Sequence, residues 1–381
     1  MNTDPLARYA AKLKNLQRRG HLRTLSDNSG ADFSSNDYLG LAASPAIREA
    51  LIAQLENSLA SGAGGSRLLR GNHPEHELLE AEAAAYFRSP SMLYFSTGYA
   101  ANLGVLSTLP QRGDLIAYDA LIHASAHEGM RAGKAETVSI PHNDANAFDR
   151  AIGVWRAKGG NGTPWIVVES LYSMDGDCAP LPDLIEIADR HDAFLFIDEA
   201  HATGVHGPDG RGFTAGLEDR QNVITLHTCG KAMGSAGGLV GADPILRDFL
   251  VNRARPFIYS TAPSPLQVSA TRLALKTTAT EGHRRHELHR LIKFANEQFT
   301  NRLGRRGSGT QILPLIVGNA DRALRIAHRM QAEGFDIRAI RPPTVPAGTA
   351  RLRITITLNV DEPTIARMFE HLAAVTAEEM I

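Results

Sequence analysis

The sequence contains few cysteines, few aromatic residues and no long apolar run. Cys178 and Cys229 are the two cysteines among 381 residues, which excludes a disulfide framework and fits a reducing compartment. No run of about 18 apolar residues occurs, so the sequence predicts no membrane-spanning helix. Residues 1–20 lack the apolar segment of a secretory signal. The net charge of −1 excludes a global field for nucleic acid or membrane, and we expect a cytoplasmic protein.

Short apolar runs alternate with helical stretches over the first two thirds of the chain. Unbroken apolar strands that alternate with helices are typical of a mostly parallel sheet covered on both faces, an α/β fold. The runs are 92–95, 115–119, 165–168, 194–197 and 223–226. Ligands bind such sheets at the carboxyl ends of the strands. The polar residues expected at those ends are Glu169, Ser173, Asp198, His201, Thr228 and Lys231.

The last third of the chain has strands and helices on a shorter scale, which predicts a separate small α+β domain. We expect an N-terminal helical and extended segment over 1–40, a large domain over 41–278 and a small C-terminal domain over 279–381.

Local patterns give further expectations. Residues 4–19 have helical apolar spacing and residues 74–87 are rich in Glu and Ala, so both segments are predicted helices. The chain past Gly238 is expected to be helical with proline interruptions. Asp321 is expected to cap a helix. The segment 352–357 alternates between polar and apolar residues, which predicts a half-buried strand.

One lysine, Lys231, stands among small residues between Thr228 and Gly238, directly after an apolar run. A lysine at a strand end with no bulky neighbour leaves room for a flat cofactor. Desolvation there lowers a lysine pKa and frees the amine for Schiff-base chemistry. The alternative from this segment alone is a surface lysine in a flexible loop.

Three other classes of site are not supported. The sequence Asp198-Glu199-Ala200-His201 matches a helicase motif, but no G-x-x-x-x-G-K-[ST] phosphate loop precedes it. No G-x-G-x-x-G follows the first strand, so a dinucleotide site is not predicted. His123 and His127 have a metal-binding spacing but no suitable third ligand, and we expect no metal.

The remaining pattern fits pyridoxal 5′-phosphate (PLP). This cofactor needs a carboxylate beside the pyridine nitrogen, a lysine for the imine and a phosphate site. Asp198 and Lys231 supply the first two. The turn 96–102 leads from a strand into a helix, and a helix N-terminus binds phosphate through its free amides.

Five segments carry a resemblance to the α-oxoamine synthases, a family of fold-type I PLP enzymes. The resemblance extends from about residue 22 to about residue 360. The segments are Ser34–Gly40 (SSNDYLG), Ser173–Asp177 (SMDGD), Asp198–Gly204 (DEAHATG), Gly207–Gly212 (GPDGRG) and Thr228–Lys231 (TCGK).

This resemblance implies roles for residues around the cofactor. Lys231 forms the imine and acts as general base, Asp198 pairs with the pyridine nitrogen, and His123 stacks on the ring. These three and His201 are the expected catalytic residues. His123 and Ser173, judged alone, are more typical of ordinary packing and turn positions. The other expected cofactor-binding residues are Ser173 and His201 at the ring oxygen, and Gly98, Tyr99, Thr228 and a second subunit's Thr261 at the phosphate.

The resemblance also implies substrate-binding residues and a homodimer with the site at the subunit interface. Arg353 binds the amino-acid carboxylate, or alternatively pairs with a structural carboxylate. Arg23 and Thr344 line the acyl site, with Arg18 and Arg19 as alternatives to Arg23. Asn36 and His123 complete the expected substrate-binding set. Tyr99 departs from the family pattern, because several relatives have Phe there.

Within the family, Ile340–Arg353 most resembles the members that condense L-alanine with pimeloyl-CoA, or with the carrier-protein thioester, in biotin synthesis. The expected products are 8-amino-7-oxononanoate, CoA and CO₂. The alternatives are the members that make 2-amino-3-ketobutyrate, 5-aminolevulinate or ketosphinganine, and a relative that kept the fold without catalysis.

Overall fold

The computed structural model describes residues 4–18, 22–25 and 29–379. Its described residues divide into two compact units. The first unit comprises the described residues within 1–35, 174–176 and 289–381, and the second comprises Asn36–Ser173 and Asp177–Leu288. The domain limits expected from the sequence remain a prediction. Across the described ranges, no helix combines the length and apolarity needed to cross a bilayer.

The strands occur in chain order as follows: β1 Ala31–Asp32, β2 Met92–Phe95, β3 Leu115–Asp119, β4 Glu136–Ile140, β5 Pro164–Glu169, β6 Phe194–Asp198, β7 Val223–Thr228, β8 Gly238–Gly241, β9 Ile312–Gly318, β10 Phe335–Asp336, β11 Arg338–Ile340 and β12 Ala350–Thr355.

The α-helices are α1 Ala7–Arg18, α2 Pro45–Glu56, α3 Pro74–Phe87, α4 Gly98–Thr108, α5 Ala124–Ala132, α6 Ala145–Ala157, α7 Leu181–Arg190, α8 Pro244–Arg253, α9 Arg255–Ile258, α10 Pro265–Thr280, α11 Gly282–Leu303, α12 Ala320–Ala332 and α13 Glu362–Glu379. A short 3₁₀ turn covers Pro208–Gly210.

The second unit is built on a sheet whose order, among the described residues, is β2-β8-β7-β6-β5-β3-β4. β4, β3, β5, β6 and β7 are parallel, and β8 is antiparallel to both β7 and β2. The mostly parallel α/β sheet predicted from the apolar runs is therefore confirmed. Because β2 and β7 both oppose β8, their carboxyl ends lie at the same edge as those of the parallel strands.

The centre of this sheet is apolar on both faces, as its runs predicted. Every residue of β5 and all but the first of β6 are buried. Trp165 and Phe194 are register partners on these strands, and their rings stack with centroids 4.5 Å apart. Such cross-strand aromatic pairs stabilise a sheet by about 0.2–1 kcal/mol. This pair thus adds to the packing between the two strands that end in Glu169 and Asp198.

The first unit contains an antiparallel sheet of order β11-β12-β9 and the parallel pair β1-β10. Helices α12 and α13 bury Ile326, Met330, Phe369 and Leu372. The last helix begins at Glu362, and Oδ1 of the preceding Asp361 accepts the Thr364 amide at 3.0 Å. Strands and helices alternate on the short scale that the sequence indicated.

Three local expectations were wrong. The chain past Gly238 does not turn directly into helix, because Gly238–Gly241 forms the buried strand β8. Its two terminal glycines obscured the strand pattern. The strand near 352–357 is not half-buried: β12 covers Ala350–Thr355 and all six residues are buried. Its arginines are buried through polar contacts, which an alternation pattern does not reveal.

The third error concerns the cap of α12. Asn319, not Asp321, is the N-cap, and its side-chain oxygen accepts the Arg322 amide at 2.9 Å. Asp321 lies in the first turn. Both residue types favour helix starts, so the composition alone did not decide between them.

We predict that Asn319→Ala lowers the free energy of unfolding by about 1 kcal/mol, because the capping bond is lost. Asp321→Ala should change it by less than about 0.5 kcal/mol. The measurement is urea unfolding followed by circular dichroism. Equal losses in the two variants would contradict the assignment of Asn319 as the cap.

Candidate active site

Polar side chains meet at the carboxyl edge of the sheet in the second unit. Glu169 ends β5 and Asp198 ends β6, and the two are register partners. Thr228 ends β7, and His123 follows β3 as the N-cap of α5. The sheet order therefore brings together residues that lie up to 105 positions apart in the sequence, between His123 and Thr228.

A chain of hydrogen bonds joins Asp198 to His123. The Asn102 amide Nδ2 donates to Asp198 Oδ2 at 2.8 Å and to Ser125 Oγ at 2.9 Å. Ser125 Oγ lies 2.7 Å from His123 Nδ1. The other oxygen, Asp198 Oδ1, accepts the Ala200 amide at 2.9 Å. Both oxygens of this buried carboxylate thus have donors.

The surroundings of His123 and Glu169 shift the pKa values of both side chains toward their uncharged forms. Partial desolvation lowers the pKa of the His123 imidazole, although the residue is exposed; the Asp198 charge opposes this, and the Lys231 and His127 charges add to it. Burial, together with the Asp198 charge, raises the pKa of Glu169 to about 8. Lys231 opposes that rise. At neutral pH His123 is therefore uncharged and Glu169 carries a proton.

Lys231 is half-buried in the turn between β7 and β8. Its carbonyl accepts the Gly234 amide at 2.7 Å, which closes the turn. Its charge acts on both His123 and Glu169. Lys231 therefore lies near enough to His123 and Glu169 to influence their pKa values.

His201 is buried and its Nδ1 lies 2.6 Å from the Tyr38 hydroxyl. The same hydroxyl lies 3.1 Å from Asn36 Oδ1. Two residues expected at the site, Asn36 and His201, are thus connected through Tyr38, which the sequence reasoning did not assign.

The expected phosphate residues Gly98 and Thr228 are in contact. A Cβ on Gly98 would lie 2.2 Å from Thr228 Oγ1, so this position requires glycine. Thr97 caps α4 by accepting the Ala100 amide at 2.9 Å. The first amides of a helix have no carbonyl partner within the helix and are available to an anion. Tyr99, the second residue of α4, is exposed.

Thr261, the residue expected from a second subunit, is exposed and forms an isolated antiparallel bridge with Ser66. Exposed apolar side chains lie on the two bridged segments, at Leu68, Leu69 and Tyr259.

Ser173 is held by the loop that follows β5. Its amide donates to Glu169 Oε2 at 3.3 Å. Farther along this loop, Asp177 Oδ2 lies 2.8 Å from His142 Nε2, and His142 Nδ1 lies 2.9 Å from Asp119 Oδ1. Burial alone would lower the pKa of His142, but hydrogen bonds to Asp119 and Asp177 outweigh it and raise this pKa to about 10. A protonated histidine therefore clamps the loop between two carboxylates.

The remaining expected substrate residues belong to the first unit. Arg23 Nη2 donates to Thr344 Oγ1 at 3.2 Å, so the structure brings this predicted pair together. A cavity there is lined by both residues and by apolar side chains that include Leu13, Leu16 and Leu22. Arg18 does not line this cavity, and Arg19 lies outside the described residues. Arg353 is buried on β12 and donates to Thr355 Oγ1 at 3.0 Å.

Comparison with known proteins places the chain in a family. Residues 29–372 match the model of aminotransferase class I and II. The chain is 41% identical over 350 residues to the 8-amino-7-oxononanoate synthase of Nitrosococcus oceani, which covers 90% of each protein. The chain belongs to the 8-amino-7-oxononanoate synthase family. Members of this family are PLP-dependent acyltransferases, so the enzyme class and cofactor predicted from the sequence are confirmed.

Two solved structures show the same fold-type I architecture. The serine palmitoyltransferase of Sphingomonas wittichii superposes with a TM-score of 0.90 at 25% identity over 99% of each chain. The 8-amino-7-oxononanoate synthase of Francisella tularensis superposes with a TM-score of 0.78 at 26% identity, over 93% of this chain and 100% of that one.

The residues of the second unit fit the cofactor that this family uses. The contact between Gly98 and Thr228 leaves the amides at the start of α4 unobstructed by a side chain on residue 98. Asn102 Oδ1 and Glu169 Oε1 are buried polar atoms without a hydrogen-bond partner among the described residues, which is consistent with a site that a ligand completes. In the described part of the chain, no group of three or more His, Cys, Asp or Glu side chains is arranged for a metal ion.

Sequence reasoning did not assign Asn102 or Ser125, although Asn102 ends the turn 96–102. The available signal was its polarity: Asn102 is a buried amide between apolar residues of α4. A buried amide of this kind requires polar partners.

We predict that Glu169→Gln removes a pH dependence of stability in the cofactor-free protein. The glutamate pKa is about 8 when folded against 4.5 as its ordinary value. Between these values the folded state binds the extra proton, so the parent loses stability as the pH rises from 4.5 to 8. Glutamine stays neutral, and the variant gains at least about 1 kcal/mol on the parent between pH 5 and pH 8.

The measurement is the free energy of unfolding at several pH values. Glu136→Gln, at an exposed position of β4, is the matched control and should follow the parent. A constant difference between Glu169→Gln and the parent over this range would contradict the protonated state of Glu169.

Proposed function

We propose that this chain condenses L-alanine with a pimeloyl thioester and releases 8-amino-7-oxononanoate, CO₂ and the free thiol. The observation that carries the proposal is the 41% identity, over 90% of both chains, with a relative that bears this activity in its name. Six further relatives at 37–42% identity bear the same name, and one at 39% is named as a putative 8-amino-7-oxononanoate synthase. The reaction belongs to biotin synthesis.

PLP, when bound, supplies a ring that joins the amino group and accepts the electron pair released at Cα. The chain supplies the groups around it. Lys231 takes the proton from Cα of alanine and returns a proton to the product. Asp198, with both oxygens hydrogen-bonded, would hold a negative charge for the ring nitrogen. The amides at the start of α4, with Thr228, would hold the phosphate.

The acyl chain of the proposed substrate is apolar with a carboxylate at its far end. Arg23 and Thr344 offer a cation and a hydroxyl 3.2 Å apart beside a cavity with leucine side chains. A cation next to an apolar wall suits a dicarboxylic acyl chain better than a long unsubstituted one, because an unpaired carboxylate is costly to bury. We assign the alanine carboxylate to Arg353, whose planar guanidinium binds carboxylates in a bidentate manner.

The proposal includes a cytoplasmic homodimer in which Thr261 of one subunit contributes to the phosphate site of the other. Its support is three exposed apolar side chains, Leu68, Leu69 and Tyr259, on the two segments that are bridged at Ser66 and Thr261. Exposed large apolar side chains on neighbouring segments favour a protein interface.

Serine palmitoyltransferase chemistry is the second candidate, because such enzymes superpose with TM-scores of up to 0.90. Their sequences are 25–28% identical to this chain, as is the 8-amino-7-oxononanoate synthase of Francisella tularensis at 26%, whereas eight other relatives named as established or putative 8-amino-7-oxononanoate synthases reach 37–42%. Fold similarity alone does not determine the substrate. The identity of the relatives therefore favours the pimeloyl substrate.

We predict that Lys231→Ala abolishes the absorption band of the lysine-bound cofactor and lowers turnover at least 10²- to 10⁴-fold, because the imine and the base are lost together. Absorbance after addition of PLP and an assay of thiol release measure the two effects. Lys134→Ala, at an exposed lysine, is the control. Parental turnover in Lys231→Ala would refute the catalytic assignment.

The substrate is tested by thiol release from pimeloyl-CoA, acetyl-CoA and palmitoyl-CoA with L-alanine, glycine and L-serine. We expect the pair pimeloyl-CoA and L-alanine to have the highest kcat/KM. Arg23→Gln should raise the KM for pimeloyl-CoA about 10-fold or more, because a hydrogen-bonded charge pair is lost. The KM for L-alanine should not change.

Octanoyl-CoA, which lacks the far carboxylate, separates charge recognition from chain recognition. Arg23→Gln should leave its KM unchanged, and Arg8→Gln on the exposed side of α1 should behave as the parent with both thioesters. If palmitoyl-CoA with L-serine is the best pair, the serine palmitoyltransferase alternative is correct instead.

A further inference from the structure

The hydrogen bonds that link Asp198 to His123 allow one consistent assignment of donors and acceptors. A carboxylate accepts only, so Asn102 must present its Nδ2 to Asp198 Oδ2, at 2.8 Å. The second hydrogen of Nδ2 then donates to Ser125 Oγ at 2.9 Å. Because that oxygen already accepts a hydrogen bond, its own hydrogen is available for His123 Nδ1 at 2.7 Å.

A second donor acts on the same imidazole nitrogen. The backbone amide of Ser125 points at His123 Nδ1 at 3.3 Å, within the N-cap of α5. A backbone N–H cannot accept a hydrogen bond. Two donors that converge on Nδ1 require this nitrogen to be unprotonated, which leaves the proton of the neutral ring on Nε2.

We propose that Asn102 and Ser125 are positioning residues that fix His123 as its neutral Nε2–H tautomer and hold Asp198 as a full acceptor. Neither side chain is in the set of site residues expected from the sequence. The inference deepens the proposed function, on which its catalytic consequence rests. The state of His123 itself is measured without turnover.

The surroundings of His123 make this fixation necessary. Asp198 on β6 attracts a second proton to the ring, whereas Lys231 in the β7–β8 turn and His127 on the same helix repel it. On β5, the Glu169 carboxyl accepts the His123 backbone amide. A histidine exposed to opposing charges of this kind changes its protonation state with small shifts of its neighbours. The two donors on Nδ1 oppose protonation directly, because a protonated Nδ1 cannot accept them.

The burial of the bridge supports a specific role. Ser125 and Asn102 are 0% and 2% exposed, respectively. Burying a hydroxyl and an amide is costly unless both are hydrogen-bonded, and an apolar pair of similar volume would fold as well. The polar pair is accordingly explained by what it does to Asp198 and His123.

The test uses protein labelled with ¹⁵N in histidine, with and without PLP, and records the ¹⁵N shifts of His123 as a function of pH. The signal among the 15 histidines is assigned by its absence in His123→Gln. In the parent we expect a pyridine-type Nδ1 and a pyrrole-type Nε2 throughout neutral pH. A pyrrole-type Nδ1 in the parent would overturn the proposal.

The decisive variants are Ser125→Ala and Asn102→Ala. Loss of one neutral hydrogen bond should raise the pKa of His123 by about 0.4–1 unit in each and populate the other tautomer. The double variant should shift by less than the sum, since the two residues act in one chain. Ser125→Thr keeps the hydroxyl and should restore the parental titration.

Ser107→Ala is the matched control, because Ser107 lies on α4 and its hydroxyl contacts Leu103 O and Thr108 Oγ1 of its own helix. If Asn102→Ala does not fold, Ser125→Ala decides alone. An unchanged His123 titration in Ser125→Ala would overturn the proposal.

In loaded enzyme, kcat should fall about 2- to 10-fold in both variants while the KM for L-alanine stays constant. If kcat in both variants equals that of the parent, the predicted effect of the two residues on catalysis is wrong. Absence of turnover with every substrate in the parent would refute the proposed function but leave the tautomer result standing.

Discussion

A buried carboxylate at the end of one strand organises the site. Asp198 is 8% exposed, and it retains its position because Asn102 and the Ala200 amide satisfy its two oxygens. A buried charge of this kind is tolerated only with partners on every side. Desolvation raises the pKa of Glu169 and the Asp198 charge adds to that rise; desolvation lowers the pKa of His123 and the Asp198 charge opposes that fall. The protonation states at this edge of the sheet follow from desolvation together with one charge and its hydrogen bonds.

The sequence predicted the sheet well where apolar runs are unbroken. Residues 92–95 and 115–119 form strands with the expected limits, and the helix at Pro74–Phe87 has the expected ends. Prediction failed where tertiary structure dominates. β4 has an exposed or half-buried residue at four of its five positions, and β8 begins and ends with glycine. Neither segment has the periodicity of a strand. Each is a strand because it pairs with its neighbours in the sheet, β4 with β3, and β8 with β2 and β7.

The residues of the candidate site were likewise predictable only in part. Parallel topology brings strand ends together, so Asp198, Thr228 and Glu169 were predictable as neighbours from the pattern of apolar runs alone. Arg23 and Thr344 were expected together from a family resemblance, and they are 3.2 Å apart. The role of Asn102 was not predictable, because it depends on which face of α4 lies against Asp198. A polar residue in an apolar helix indicates that a partner exists, but only the fold shows which one.

Glu169 and Asp198 are neighbouring acids that differ in protonation state. Two carboxyl groups on adjacent register positions cannot both ionise at low cost in a buried site. The structure resolves the conflict unequally, since Asp198 has side-chain and backbone donors on both oxygens whereas Glu169 Oε1 has no partner among the described residues. The proton therefore resides on Glu169 at neutral pH. One carboxylate then carries the charge that a cationic ring requires, and the second remains a neutral group that can donate or accept a hydrogen bond. Donor placement, rather than residue type, distinguishes the two acids.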